Sequence, residues 1–390
     1  MLEGARQPGA KILVSGGSRC NVTNALVSER DFWGGPRTIV RRVLRAFTVE
    51  ETVALFRELG VPLHEEPGGK LFPDSNRSRD VLDALLREVK SCGATLLADH
   101  RVHSIDRAGR GFVISTAHGT IDASRVVIAT GGQSLPKSGS DGAGYGFAKR
   151  LGHSLVATTP GLVPLTISSD SHFHTQLSGV SHAAEIAIWV DGRVALRLTG
   201  NLLWTHFGIS GPLALDASRH WLRARSEGRD AAMVLNFHPG WTFDDLDRHL
   251  TAIGRTRPRA SIENTIAAGG GEMPGLPASL VRTVLAGLRI DGETPLSQLP
   301  REARRLLVRG MTARPLPVSG SRGYNYAEVT AGGVALTEID PSTMESRVCR
   351  ELYLVGEVLD VDGRIGGFNF QWAWSSARAA ARGLTRSADL

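Results

Sequence analysis

The sequence lacks the residues and runs that mark several whole classes of protein. Its cysteines number only three, Cys20, Cys92 and Cys349, and they form neither a CxxC pair nor a Cys/His spacing that would hold zinc. A disulfide framework and a structural metal site are therefore not expected. No apolar run approaches the ~18 residues needed to cross a bilayer, and the opening MLEGARQPGAK has no hydrophobic signal core. The expectation is a cytoplasmic protein without a membrane partner. No block of like charge reaches about five residues, so the formal net charge of +6 is spread along the chain. A dinucleotide fingerprint of the form G-x-G-x-x-G is missing as well.

What is present is an ordinary globular composition, 42% apolar and 22% charged, over 390 residues, a length that suits two or three domains. The basic balance raises nucleic acid as a partner. The dispersed charge argues against it, and the cluster Arg37, Arg41, Arg42, Arg45 reads as one solvated helix face that would also accept phosphates.

Short β-branched runs alternate with helical patterns, the sign of α/β architecture. Lys11–Ser15 reads as a strand, Ile39–Gly60 and Ser78–Cys92 as helices, and Ala94–Ile105, Gly111–Thr116 and Thr120–Ala129 as strands. After about Leu155 the segments shorten, with Ala184–Val190 and Arg193–Leu198 forming a hairpin across Asp191-Gly192. Helical patterns follow at Asp244–Gly254 and Pro277–Leu288. The α/β character returns near Glu328, with a buried strand at Leu352–Gly356 and a helix at Phe370–Gly383. The expected plan is an α/β domain over 1–155 and 328–390, interrupted by a β-rich domain over 156–327 whose helical portion covers about 242–310.

Ligands of open α/β sheets gather at the carboxy ends of strands, and four segments stand there. In Val14–Asn24, Gly16 and Gly17 permit close backbone approach while Arg19, Cys20, Asn21 and Asn24 supply donors; a tight polar turn with Asn24 capping a helix is the alternative. Ala129–His153 places a glycine-rich stretch before a helix, either an anion or ring site or a flexible loop. In Asn201–Trp221, Thr205 and His206 are candidates to meet a substrate, and Ser210-Gly211-Pro212 is a helix start. In Leu354–Arg378, Glu357 follows a buried strand and Gly366-Gly367 precedes a helix, an arrangement that suits hydroxyls and a phosphate or ring. Trp372 and Trp374 read as packing.

The strings KILVSGGSRCNVTN, GGKLFPDSNRSRDVLDALL, VVIATGGQSLPKSGSDGAGYGFAKRLGH, GLVPL, LLWTHFGISGPLALDAS, VTAGGVALTEIDPSTMES and LYLVGEVLDVDGRIGGFNFQWAWSSA resemble, in order, those of the BaiN-like bacterial FAD-dependent flavoproteins, also called aminoacetone oxidase-type enzymes. The resemblance implies a two-dinucleotide-binding-type, Rossmann-like FAD domain interrupted by a β-rich domain with a helical subdomain. Glu3 is similar to the acid that holds the adenosine ribose. Lys11 and Ser15, Gly16, Gly17, Arg19, Cys20 and Asn21 are similar to the loop that passes the pyrophosphate and flavin. Val102 resembles the residue whose backbone meets adenine. Ala129, Thr130, Gly131 and Gly132 resemble the crossover near the cofactor, and Gly356, Glu357, Gly366, Gly367, Phe368 and Asn369 the clasp on ribityl and flavin.

The chain departs from that pattern twice. Ser18 stands where the family usually has glycine. The strand, G-x-G-x-x-G turn and helix that usually precede the position of Glu3, about thirty residues of a βαβ unit, are not in this sequence, as a misplaced start or a fragment would leave it. The activity implied is an FAD-dependent oxidoreductase moving a hydride on a small organic substrate, with NAD(P)H open as electron donor. Its rivals are a cofactor-free remnant and a nucleic-acid-modifying flavoprotein. Flavin N5 accepts the hydride, so no protein nucleophile is required; Cys20 and His206 are the candidate catalytic side chains. Substrate and oligomeric state do not follow from the sequence.

Overall fold

The structure is a computed structural model that describes residues 1–168 and 170–386. The chain divides into two compact units, one formed by Met1–Gly161 with Tyr324–Leu390 and the other by Leu162–Gly323.

In the first unit the parallel pairing typical of α/β proteins is short. Val126–Ile128 pairs in parallel with Leu352–Leu354, and a single parallel bridge joins Leu2 to Leu97. Leu352, Tyr353 and Leu354 are all buried, as expected of a strand covered on both faces. Around this pair lie a three-stranded meander, Val102–Ala108, Gly111–Thr116 and Gly119–Ala123, and an antiparallel pair, Leu155–Gly161 with Val329–Val334. The helix Ser78–Ser91 stops at Gly93, whose φ of +72° is the left-handed conformation glycine adopts without strain. The closing helix Phe368–Arg386 carries Trp372 and Trp374, and both pack. Trp372 donates its indole N–H to the Gly356 carbonyl, and Trp374 donates to that of Val22 while stacking on Phe370.

The second unit is built on a seven-stranded antiparallel sheet. Its long hairpin, Ser181–Val190 with Arg193–Thr205, turns at Asp191 (φ +50°) and Gly192 (φ +75°), the backbone that Asp-Gly favours. Helix Gly211–Ser226 begins with Pro212 in its first turn. Four further helices, Phe243–Thr256, Ile262–Ala268, Ala278–Leu288 and Arg301–Thr312, form the helical portion. Their apolar faces join Ile186, Trp204, Leu213 and Leu235 in one core.

Several local expectations are corrected. Lys11–Ser15 is not a strand: Ala10–Ser18 is a helix that breaks at Ser15, whose ψ of 148° is non-helical. A run whose apolar part is only Ile12, Leu13 and Val14 has no period that separates helix from strand. Ile39–Gly60 is two helices, Arg37–Leu44 and Val49–Glu58, the second opened by a Thr48/Glu51 capping box that ends the first pattern. Of Ala94–Ile105 only the end is strand, within Val102–Ala108. Asn24 caps no helix. Its side-chain amide donates to the carbonyls of Gly68 and Gly366, tying the amino-terminal segment to the Gly366-Gly367 turn.

Candidate functional site

The break in the first helix creates the site's loop. Gly16, Gly17, Ser18 and Cys20 all hold positive φ, of +54°, +68°, +67° and +63°. Glycine takes this conformation freely, whereas Ser18 and Cys20 do so under strain. A Cβ on Gly16 would lie 2.9 Å from the Asn21 nitrogen, while one on Gly17 would meet nothing within 4 Å, so the outer side of the turn is open backbone.

Lys11, one helical turn earlier, reaches a polar cluster assembled from remote segments. Its ammonium donates to Glu357 Oε2 at 2.6 Å and to Ser134 Oγ at 2.7 Å. Ser134 Oγ lies 3.0 Å from Glu357 Oε1, which also accepts the Thr330 amide at 2.8 Å. Thr330 Oγ1 in turn accepts the amides of Gln133 and Ser134. The carboxylate that follows the buried strand is thus fixed by three donors, and hydrogen bonds to an ionised group are the stronger kind. Gly132 fits here for lack of a side chain: a Cβ would sit 2.9 Å from Glu357 Oε1 and closer still to Thr330 Oγ1. Tyr145 lies beside the cluster, and burial, with the Glu357 carboxylate next, pushes its phenol well above the usual range.

Other predicted residues take distinct roles. Ala129 and Thr130 are exposed, leaving the crossover backbone open, while Gly131 turns with φ +71°. Gly356 has φ +72°, and Gly366 and Gly367 have φ +118° and +95°; at Gly367 a Cβ would collide with the Thr23 backbone. Asn369 ties its own loop, bonding both the amide and the carbonyl of Gly363. Phe368 is buried edge-on to Phe32. Ser15 donates to the Ile12 carbonyl and accepts the Cys20 amide on its own carbonyl oxygen. Arg19 is engaged by Glu66 through both carboxylate oxygens and lies 4.0 Å over the Phe72 ring, so it braces the loop. Asn21 is buried, and its Oδ1 has no hydrogen-bond partner among the described residues. An orphaned buried acceptor of this kind calls for a donor from outside the fold.

Glu3 stands just past the Leu2–Leu97 bridge. Its amide donates to Leu97, its carbonyl accepts from His100, and Oε1 accepts the Ala5 amide. Val102 opens the neighbouring meander, paired with Thr116. No hydrogen bond among the described residues joins these two to the Lys11–Glu357 cluster.

Of the candidate catalytic side chains, Cys20 is buried, and burial pushes its thiol up to about 11 against a hydrogen bond to Ser15 that pulls the other way. At neutral pH it is a protonated core thiol. His206 is exposed at a turn of the second unit, edge-on to Phe207. Among the described residues no group of His, Cys, Asp and Glu could hold a metal ion, and no helix is long and apolar enough to cross a membrane. The residues sequence reasoning missed are Ser134, Thr330 and Tyr145. A serine two positions after Gly131-Gly132 and a lone threonine in the otherwise apolar strand Val329–Val334 were the only signals.

Short parallel pairing, a glycine turn that closes the first helix and an acid three residues past a buried strand mark a Rossmann-type α/β protein. The chain belongs to the family described as HI0933-like protein Rossmann domain, whose model matches residues 1–383. It is 31% identical over 382 residues to the 3-dehydro-bile acid delta(4,6)-reductase of Clostridium scindens, covering 98% of this chain and 91% of that one. It is 34% identical over 385 residues to the ribosomal RNA dihydrouridine synthase of Escherichia coli, again covering 98% and 91%. Among solved structures, an E. coli quinol fumarate reductase chain superposes with a TM-score of 0.47 at 13% identity, covering 99% of this chain and 65% of that chain's length.

Proposed function

We propose that the protein is an FAD-dependent oxidoreductase that delivers hydride to a carbon–carbon double bond. The observation that carries this reading is the cluster of Lys11, Ser134, Thr330 and Glu357 packed against Gly132 and flanked by open glycine backbone. It comes from a member of a Rossmann-domain family. The names of two relatives, a delta(4,6)-reductase and a dihydrouridine synthase, both describe hydrogen added across such a bond.

The residues present suit the cofactor. Glu3 keeps Oε2 for ribose hydroxyls while Oε1 holds the Ala5 amide. The turn is open at Gly17, where backbone can approach a ligand, and the buried Asn21 Oδ1 keeps an unused acceptor beside it. Gly366 and Gly367 start a long helix, whose amino end favours negative charge. Bound FAD supplies the hydride chemistry at its ring. The protein's share is to hold and orient: Lys11 fixes the Glu357 carboxylate, and Gly132 lets the crossover backbone lie against it. Reducing equivalents would come from NADH or NADPH.

The test is direct. The purified full chain should be yellow, release FAD on denaturation, and oxidise NADH or NADPH with an electron-poor enone as acceptor. A colourless protein that releases no FAD, and takes none up when it is supplied, would overturn the reading in favour of a cofactor-free remnant. A second reading, in which the reduced double bond belongs to a base of RNA instead of a small molecule, is favoured by the arginines of the helix Arg37–Leu44.

A further inference from the structure

The helix Arg37–Leu44 has two faces of opposite character. Val40 and Val43 are buried; at 100° per residue Arg41, Arg42 and the capping residue Arg45 lie on the opposite side and Arg37 lies at its edge, roughly 90° from the buried stripe, all four exposed. From Arg37 to Arg45 is roughly 12 Å of helix at ~1.5 Å per residue. Arg30, exposed in the preceding turn, lies on the same segment. Glu29 pairs with Arg41 and Asp31 with Arg364, and Arg30, Arg37, Arg42 and Arg45 form no ion pair with an acid among the described residues.

Two lysines or arginines in the last turn of a helix are accounted for by its dipole. A row that begins at the first helical residue and extends past the last is not. The row is also joined to the candidate site. The strand Phe32–Gly34, just ahead of the helix, pairs antiparallel with Val361–Gly363, the strand that leads through Arg364 into Gly366-Gly367.

We propose that Arg30, Arg37, Arg42 and Arg45 form a docking surface for the phosphate backbone of structured RNA, next to the glycine turn that opens the closing helix. The proposal deepens the RNA reading above and rests on it for the identity of the polyanion. Guanidinium forks match phosphate oxygens bidentately and stay charged at any working pH. A nucleic-acid duplex carries closely spaced backbone charges, one per ~1.7 Å of axis in DNA, so a row of roughly 12 Å spans several phosphates. Such bonds go to the RNA backbone, and they fix register without reading sequence.

The experiment is fluorescence anisotropy of a labelled RNA stem-loop with the full chain, across a series of salt concentrations. The variants are R37Q/R42Q/R45Q and, as a control for net charge, R255Q/R257Q/R259Q, which removes three exposed arginines from the other unit. The first triple should weaken binding about tenfold or more and flatten the slope of log K against log salt by about 2 to 3, near one unit for each phosphate no longer neutralised. The control should move neither. Equal effects of the two triples, no binding by the unaltered chain, or, in a parallel titration of vesicles of phosphatidylglycerol and phosphatidylcholine, a loss on the vesicles with RNA binding unchanged would each overturn the proposal. FAD released from the same samples separates the two readings. A yellow protein indifferent to RNA sinks the docking surface and leaves the oxidoreductase, and a colourless one that binds RNA through these arginines does the reverse.

Discussion

Lys11 and Glu357 stand 346 positions apart in the chain and 2.6 Å apart in the fold. Removing either one should not have the same effect. Glu357→Ala strips the acceptor from Lys11, Ser134 and the Thr330 amide together, at a cost on the order of 2–3 kcal/mol. Lys11→Met leaves the carboxylate with its other two donors and some access to water, for about 1 kcal/mol or less. Urea unfolding midpoints would rank them, and a larger loss for Lys11→Met would show that the carboxylate is not the hub.

Gly132→Ala tests the packing of the crossover on that hub. The new methyl would press on Glu357 Oε1 and Thr330 Oγ1, and the threonine oxygen is itself held by two amides. With neither free to yield, the expected loss is about 1–3 kcal/mol, accompanied by lower FAD content in the purified protein. Unchanged content and midpoint would mean that the crossover has slack.

Ser18 is exposed and held at φ +67° between Gly17 and the strained Cys20. A left-handed serine costs roughly 1–2 kcal/mol, part of which glycine returns as unfolded-state entropy. Ser18→Gly should therefore raise stability by about 0.5–1 kcal/mol and shift the urea midpoint upward. A lower midpoint would place a stabilising contact on the serine side chain.

What the sequence made legible follows from range of interaction. The Asp191-Gly192 hairpin, the stop at Gly93 and the Pro212 helix start are decided by residues within a few positions, and each stands where local chemistry put it. Glu357 was legible because an acid directly after a buried strand has few structural uses. Ser134 and Thr330 were not, because their part depends on partners 223 and 27 positions away in the chain, brought together only by the fold. Lys11–Ser15 failed for a third reason: three consecutive apolar residues fit either period, and the left-handed glycines that follow ended a helix instead of a strand.

The second unit carries an acid sensitivity that can be predicted with its sign. His238 is fully buried and neither ring nitrogen has a partner among the described residues. Burial, with His249 and His182 nearby, lowers its pKa from 6.5 to about 4. The unfolded chain therefore binds this proton more readily than the folded one between those values. The stabilisation from keeping His238 neutral is complete above about pH 6.5 and drains as pH falls from there through about 4, where the loss is complete at about 3 kcal/mol. Urea unfolding followed by tryptophan fluorescence, with Trp189, Trp204, Trp221 and Trp241 in this unit, should show that decline. In His238→Asn the side chain cannot be protonated, so the part of the decline between pH 6.5 and 4 should shrink by that amount. The further fall at lower pH, where carboxylates of this unit with lowered pKa values such as Asp245 take up protons, should stay. Parallel profiles for the two proteins across pH 6.5 to 4 would show that His238 is solvated or partnered in solution.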